Sequence, residues 1–157
     1  MITQFAIGVS LVALTKIVGA FFIVIAAERL MGHRAWLQTG NLLVRHVLTL
    51  TFMTIWLVFG LILIMILWAL TLFALGIFGA FEAALYFAMI SFTTLGFGDI
   101  ILPNEWRLLS GFIAIDGFIL FGLNTAFLFE VLRRLRQNDL PVEMQVNTDA
   151  TQKRRPF

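Results

Sequence analysis

The chain has 157 residues, of which 61% are apolar and only 13% are charged, and its mean hydropathy is +0.97. A soluble domain would be nearer half apolar with about a quarter of its residues charged, so the composition indicates an integral membrane protein. The absence of cysteine excludes disulfides and thiolate chemistry, and two histidines, His33 and His46, offer little basis for an enzyme.

Three segments are long and apolar enough to cross a bilayer, which requires roughly 20 mainly apolar residues. They cover about residues 5–27, 47–72 and 108–132. A fourth apolar segment, 78–92, is too short to cross and is better interpreted as a re-entrant helix. The first segment lacks the basic start and cleavage pattern of a signal peptide, so we expect it to remain in the protein. The predicted fold is an all-α membrane protein with three transmembrane helices and a re-entrant helix.

Basic residues are concentrated in two regions next to the predicted spans. The region 29–46 holds Arg29, Arg34 and Arg45, and the C-terminal region holds Arg133, Arg134, Arg136, Lys153, Arg154 and Arg155. Positive charge in short segments beside membrane helices is typical of the cytoplasmic side. We therefore expect an N-terminus outside, a cytoplasmic C-terminus and no nucleic-acid partner. The small size favours a prokaryotic inner membrane.

A glycine motif follows the short apolar segment directly. Residues 93–99 are Thr-Thr-Leu-Gly-Phe-Gly-Asp. Glycine permits backbone conformations that other residues avoid, and irregular backbone at membrane depth is tolerated where it lines a water-filled path. Rings of backbone carbonyls that replace an ion's hydration shell form potassium selectivity filters. The motif therefore predicts an ion-conducting loop, the alternative being a glycine turn between two membrane helices.

Residues 94–99 resemble the potassium-channel signature T-x-G-(Y/F)-G-D. The resemblance extends over about residues 68–136, which are similar to the outer helix, pore helix, filter and inner helix of tetrameric potassium channels. It implies a homotetramer around a central pore, with K⁺ as the permeant ion, membrane lipid as its surroundings and no organic cofactor.

The resemblance also implies which residues bind the ion. The potassium ligands would be the carbonyls of Thr94, Leu95, Gly96 and Phe97, together with the Thr94 hydroxyl. Phe97 replaces the commoner tyrosine and so lacks the phenolic hydroxyl that braces many such filters. Gly98 follows it and supports the filter.

Other residues implied by the resemblance would support the filter from outside the ion path. Asp99 ends the motif, and Tyr86 and Phe87 stand where an aromatic pair often packs around the filter. Ile90 replaces a glutamate that pairs with the post-filter aspartate in some bacterial members, so Asp99 lacks that partner. We therefore expect aromatic packing by Tyr86 and Phe87 to stabilise the filter.

The third span carries a second similarity to two-helix bacterial channels. Gly117 resembles their hinge glycine, and the stretch 121–126, which includes Gly122, resembles their F-G-L-x-T-A sequence. Four residues at helical spacing would face the ion path: Phe118, Phe121, Thr125 and Phe129. We expect Phe129 to contribute to a hydrophobic constriction near the inner gate. An apolar stripe for helix packing is the alternative.

Two charged residues, Lys16 and Asp116, lie inside predicted spans, where ionisable groups are costly and usually paired or functional. Both lie at a similar depth from the outer surface if the N-terminus is outside. We expect them to pair and to fasten the first helix to the inner helix. The alternatives are a snorkelling Lys16 and a protonated Asp116 bonded to a backbone carbonyl or to Asn124.

The sequence thus divides into an N-terminal helix at 1–28, a basic loop at 29–46, a pore domain at 47–136 and a flexible tail at 137–157. The predicted function is passive conduction by a potassium-selective channel. A weakly selective cation channel and a non-conducting scaffold or accessory subunit are the alternatives.

Overall fold

The computed structural model describes residues 2–32 and 42–138. Most of these residues form four helices: α1 (Ile2–Gly32), α2 (Leu42–Ala74), α3 (Phe81–Phe92) and α4 (Arg107–Asn138). The part of the chain that the structure describes contains no strand, so the prediction of an all-α protein is confirmed. The centre of the predicted basic loop, with His33 and Arg34, and the tail beyond Asn138 lie outside the described residues.

Three of the helices are long and apolar enough to cross a membrane, over Ile2–Arg29, His46–Ala74 and Arg107–Gln137. Each extends past the predicted segment at both ends. The remaining helix, α3, has 12 residues and at 1.5 Å per residue is too short for a hydrocarbon core of about 30 Å. It begins at Phe81 rather than at the predicted residue 78, after an irregular turn that contains Gly76 and Gly79.

Helices α1 and α4 run parallel, and α2 runs antiparallel to both. The contacts between α1 and α4 advance in the same direction along the two helices: Gln4 with Leu108, Gly8 with Phe112, Lys16 with Asp116, and Gly19 with Leu120. On α2, by contrast, Trp56 bonds Phe22 near the end of α1, whereas Trp68 bonds Asp116 near the start of α4. The beginning of α1 and the end of α4 therefore lie on opposite sides of the bundle.

Glycines let α1 approach its neighbours closely. A Cβ at Gly8 would lie 2.4 Å from the Phe112 ring, and one at Gly19 would lie 2.7 Å from the Leu120 side chain. Small residues at helix contacts are typical of membrane bundles, because van der Waals packing rather than the hydrophobic effect holds the helices together. The glycines thus make α1 part of the bundle rather than a loosely attached span.

The buried core lies where α3 enters the bundle. Its fully buried side chains come from α2, α3 and α4, and include Ile64, Trp68, Leu72, Phe92, Leu109 and Ile113. A smaller cluster of Ala26, Met53, Val131 and Leu135 joins α1, α2 and α4 at the opposite end. The larger core therefore holds the short helix, and with it the glycine motif that follows.

Candidate ion-conducting site

The glycine motif begins at the carboxyl end of α3, where the helix unwinds in a tight turn. The N–H of Thr93 donates to the carbonyl of Met89 at 3.0 Å, and the N–H of Thr94 donates to the carbonyl of Ser91 at 3.0 Å. The N–H of Gly96 reaches back to the carbonyl of Ile90 at 3.2 Å. The carboxyl end of a helix carries the negative end of its dipole, so α3 provides favourable potential for a cation at the motif.

Alternate residues of the motif have positive φ angles: 59° at Thr94, 51° at Gly96 and 79° at Gly98. Glycine adopts this region without steric cost, which explains the G-x-G spacing. A β-branched residue is an outlier there. Thr94 therefore carries backbone strain of the kind that is concentrated at functional sites.

The carbonyl oxygens of residues 94–97 are free of hydrogen bonds from the protein. Across residues 2–32 and 42–138, no backbone N–H outside the helices and no side-chain donor bonds any of them. The neighbouring side chains of Leu95 and Phe97 are 61% and 67% exposed. The four carbonyls named from the sequence thus form a continuous run of unpaired acceptors, which is the chemistry that a dehydrated cation requires.

A hydrogen bond braces the C-terminal end of the motif. The hydroxyl of Tyr86 on α3 donates to Oδ2 of Asp99 at 2.7 Å. This bond, together with burial and the nearby negative charge, raises the pKa of Tyr86 above its ordinary value of 10.0. The sequence predicted only a packing role for Tyr86 and left Asp99 without its usual carboxyl partner. The structure instead gives Asp99 a phenolic partner.

The second aromatic residue of this pair is placed differently. Phe87 is buried, at 4% exposure, and its ring contacts the ring of Phe78 at a centroid distance of 5.6 Å. It therefore packs α3 against the turn that precedes it. Tyr86 acts through its hydroxyl, so the two side chains brace α3 from different directions.

The predicted pore-facing residues of α4 all lie on its exposed side. Phe118 is 75% exposed, Phe129 70% and Phe121 41%, and Thr125 is also exposed, with its hydroxyl bonded to the Phe121 carbonyl at 2.8 Å. The ring of Phe121 also packs against the ring of Phe92, with a centroid distance of 5.7 Å. The exposed face is available to line a path, and Phe121 links it to the end of α3.

Gly117 is the point where α4 touches the end of α3. A Cβ there would lie 2.0 Å from the backbone carbonyl oxygen of Phe92, so only glycine fits. The sequence predicted a hinge at this position, and that role stays a prediction. The structure adds a steric reason for the glycine that the sequence did not reveal. Gly122, in contrast, has open space around it.

The charged residues inside the spans form an ion pair. Lys16 Nζ lies 2.6 Å from Asp116 Oδ1, so the pairing expected from their matching depth is present. Two further residues that the sequence did not single out also bond Asp116, namely Thr15 and Trp68. The available signal was the need of a buried indole N–H for an acceptor. Within the part of the chain that the structure describes, the Asp116 carboxyl group bonds Thr15, Lys16 and Trp68 and makes no bond to a backbone carbonyl or to Asn124.

A short apolar helix, a loop of unpaired carbonyls and a following helix long and apolar enough to cross a membrane are the elements expected of an ion-channel pore. A family model described as "Ion channel" matches residues 51–134. Because this match covers over half of the chain, the protein belongs to that family of two-helix channel pore domains. The match begins inside α2, so α1 lies outside it. Comparisons with curated proteins and with solved structures found no match.

Proposed function

We propose that the protein is a potassium-selective channel that conducts K⁺ passively. The observation that supports this most strongly is the run of free carbonyls at Thr94, Leu95, Gly96 and Phe97, held on a backbone with positive φ at every second position. Such carbonyls can replace the hydration shell of K⁺. The proposed activity is transport without a catalytic step, with K⁺ as the transported ion.

The pore of the proposed channel is formed by four copies of the chain. One chain supplies one loop, whereas a filter requires carbonyls around the whole ion. Closed cyclic symmetry is the usual way for identical chains to surround an axis. The exposed face of α4, with Phe118 and Phe129, would line the inner path, and the exposed side chains of Leu95 and Phe97 would be covered by neighbouring copies.

The proposed orientation places the N-terminus and the filter outside and the C-terminus in the cytoplasm. Its support is the parallel arrangement of α1 and α4, which puts the beginning of α1 and the end of α4 on opposite sides. The arginines at the end of α4, Arg133, Arg134 and Arg136, favour the cytoplasm for that end. A prokaryotic inner membrane is the proposed location.

A flux assay with purified protein in liposomes tests this function. Vesicles loaded with K⁺ are diluted into K⁺-free medium, and parallel vesicles carry Na⁺ in its place. We expect K⁺ efflux that requires the protein and much slower Na⁺ efflux. Equal fluxes of the two ions would instead indicate a weakly selective cation channel. The absence of any flux would indicate a scaffold or accessory subunit.

A further inference from the structure

We propose that Thr15, Lys16, Trp68 and Asp116 form an anchor that sets the position of α4 at the base of the filter. The anchor makes α1 a working part of the pore, although α1 lies outside the family match. The inference rests on the proposed channel function and adds to it a set of positioning residues for ion selectivity.

The anchor joins three helices at one carboxylate. Oδ1 of Asp116 accepts hydrogen bonds from Lys16 Nζ at 2.6 Å and from Thr15 Oγ1 at 2.9 Å, both on α1. Oδ2 accepts a bond from the indole Nε1 of Trp68 on α2 at 2.8 Å. Lys16 Nζ also donates to the backbone carbonyl of Asp116 at 3.0 Å. Every oxygen of this residue therefore has a partner outside α4 itself.

The surroundings make this arrangement difficult to displace. Asp116 and Trp68 are fully buried, and the Lys16 side chain is only 27% exposed. Breaking a buried pair leaves an uncompensated charge, and water does not solvate that charge at membrane depth. These bonds therefore resist a shift of α4 against α1 and α2 at the level of Asp116.

That level coincides with the contact between α4 and the filter base. Asp116 is followed directly by Gly117, whose backbone touches the carbonyl of Phe92. Phe92 is the last residue of α3 and is itself fully buried, and Thr94 begins the carbonyl run two residues later. A shift of α4 at Asp116 is therefore transmitted through Gly117 and Phe92 to the filter.

A simple fastening of α1 to the bundle does not require this geometry. The chain has a second indole bond that fastens α1 to α2, because Nε1 of Trp56 on α2 donates to the carbonyl of Phe22 on α1 at 3.1 Å. The two tryptophans thus separate the two roles. The indole N–H of Trp68 bonds Asp116 beside the filter base, whereas the indole N–H of Trp56 bonds Phe22 of α1, and Trp56 packs near the opposite end of α4.

The test compares four variants of the full chain in planar bilayers. Lys16→Met and Trp68→Phe each remove one part of the anchor, and Lys16→Met/Asp116→Asn removes both charges while keeping side chains of similar size. Trp56→Phe is the matched control for Trp68→Phe. A charge swap is less informative, because the donors of Thr15 and Trp68 would then face a lysine at position 116.

The primary measurement is the K⁺-to-Na⁺ permeability ratio from reversal potentials. We expect Lys16→Met and Trp68→Phe to lower this ratio by at least about threefold, in the range of measured coupling effects. The neutral double variant is expected to recover most of the wild-type ratio, and Trp56→Phe to retain it. A second readout, the gain in thermal stability in K⁺ over Na⁺ buffer, reports ion binding without conduction and should change in parallel.

Three results would overturn the anchor. Selective wild-type conduction with unchanged ratios in the single variants would refute it while leaving the channel function intact. An equal loss of selectivity in Trp56→Phe and Trp68→Phe would reduce the effect to general destabilisation and refute it as well. If Lys16→Met does not assemble, the permeability ratio of Trp68→Phe is compared with that of Trp56→Phe, and this comparison alone tests the anchor. A wild type that neither conducts nor responds to K⁺ would remove both the proposed function and the anchor.

Discussion

The contact between Gly117 and the end of α3 yields the sharpest structural prediction. A Cβ at this position would lie 2.0 Å from the carbonyl oxygen of Phe92, whereas carbon and oxygen atoms in contact are ordinarily about 3.3 Å apart or more. Gly117→Ala therefore requires a separation of more than an ångström between two backbones. The bonds at Asp116, one residue away, oppose that shift. We expect the variant to be destabilised.

The magnitude follows from a comparison with Gly111→Ala in the same helix. Gly111 has open space where a Cβ would be placed. Both substitutions gain the helix propensity of alanine, about 1 kcal/mol, so this contribution cancels in the difference. The remaining term is overpacking, which costs about 1–3 kcal/mol and sometimes more. The free energy of unfolding of Gly117→Ala should therefore be lower than that of Gly111→Ala by at least about 1 kcal/mol.

The assay is unfolding of the purified proteins in detergent, followed by tryptophan fluorescence during heating or titration with a denaturing detergent. Wild type and both variants are measured at the same protein and lipid concentrations. If Gly117→Ala unfolds at the same point as Gly111→Ala or later, the close backbone contact is wrong, and so is the route from the anchor to the filter.

Three further predictions concern the motif and the path. The only tyrosine of the chain should ionise above pH 10.0 in the folded protein because its pKa is raised; the stabilisation from its bond to Asp99 is then present below that pH and lost as pH rises through the raised pKa. Tyrosinate absorbance measures this midpoint, and Asp99→Asn should lower it; no change on Asp99→Asn would contradict the bond. Gly98→Ala should abolish selective flux, because a φ of 79° costs alanine about 1–2 kcal/mol, whereas Gly79→Ala should conduct normally; equal flux in both would contradict a functional role for the conformation. Phe129→Ala should raise open probability and change block by cytoplasmic cations, and unchanged recordings would exclude a constriction there.

The sequence predicts most of the architecture because membrane spans have a strong signal. Runs of apolar residues fix the number and approximate limits of α1, α2 and α4, and the short length of α3 distinguishes it from a span. The boundaries are less accurate. Charged and polar residues at helix ends, such as Arg133 and Arg134, continue α4 because a helix satisfies its own backbone regardless of side-chain polarity.

The sequence predicts the site only in part, because composition and depth indicate proximity but not direction. Matching depth was enough to pair Lys16 with Asp116. It could not show that Trp68 points its indole N–H at the same carboxylate, since a tryptophan in an apolar span fits an apolar core equally well. In the same way, Tyr86 was expected to contribute an aromatic ring, whereas its hydroxyl makes the important contact with Asp99.

The sequence does not predict close contacts between backbone atoms of different helices. The pattern around Gly117 indicates a hinge by resemblance, and nothing in a linear sequence shows that the carbonyl of Phe92 occupies the space of its missing side chain. Such contacts depend on how α3 and α4 meet in three dimensions. The steric role and the hinge role are compatible, because a helix that bends at a glycine also needs space beside it.

The most direct test of the central claim is the reversal potential of the wild-type protein in a planar bilayer with K⁺ on one side and Na⁺ on the other. The free carbonyls from Thr94 to Phe97 predict a reversal potential far from zero. Its sign should be the one that opposes the movement of K⁺ down its concentration gradient. A channel current that reverses near zero under these conditions would contradict potassium selection by these carbonyls.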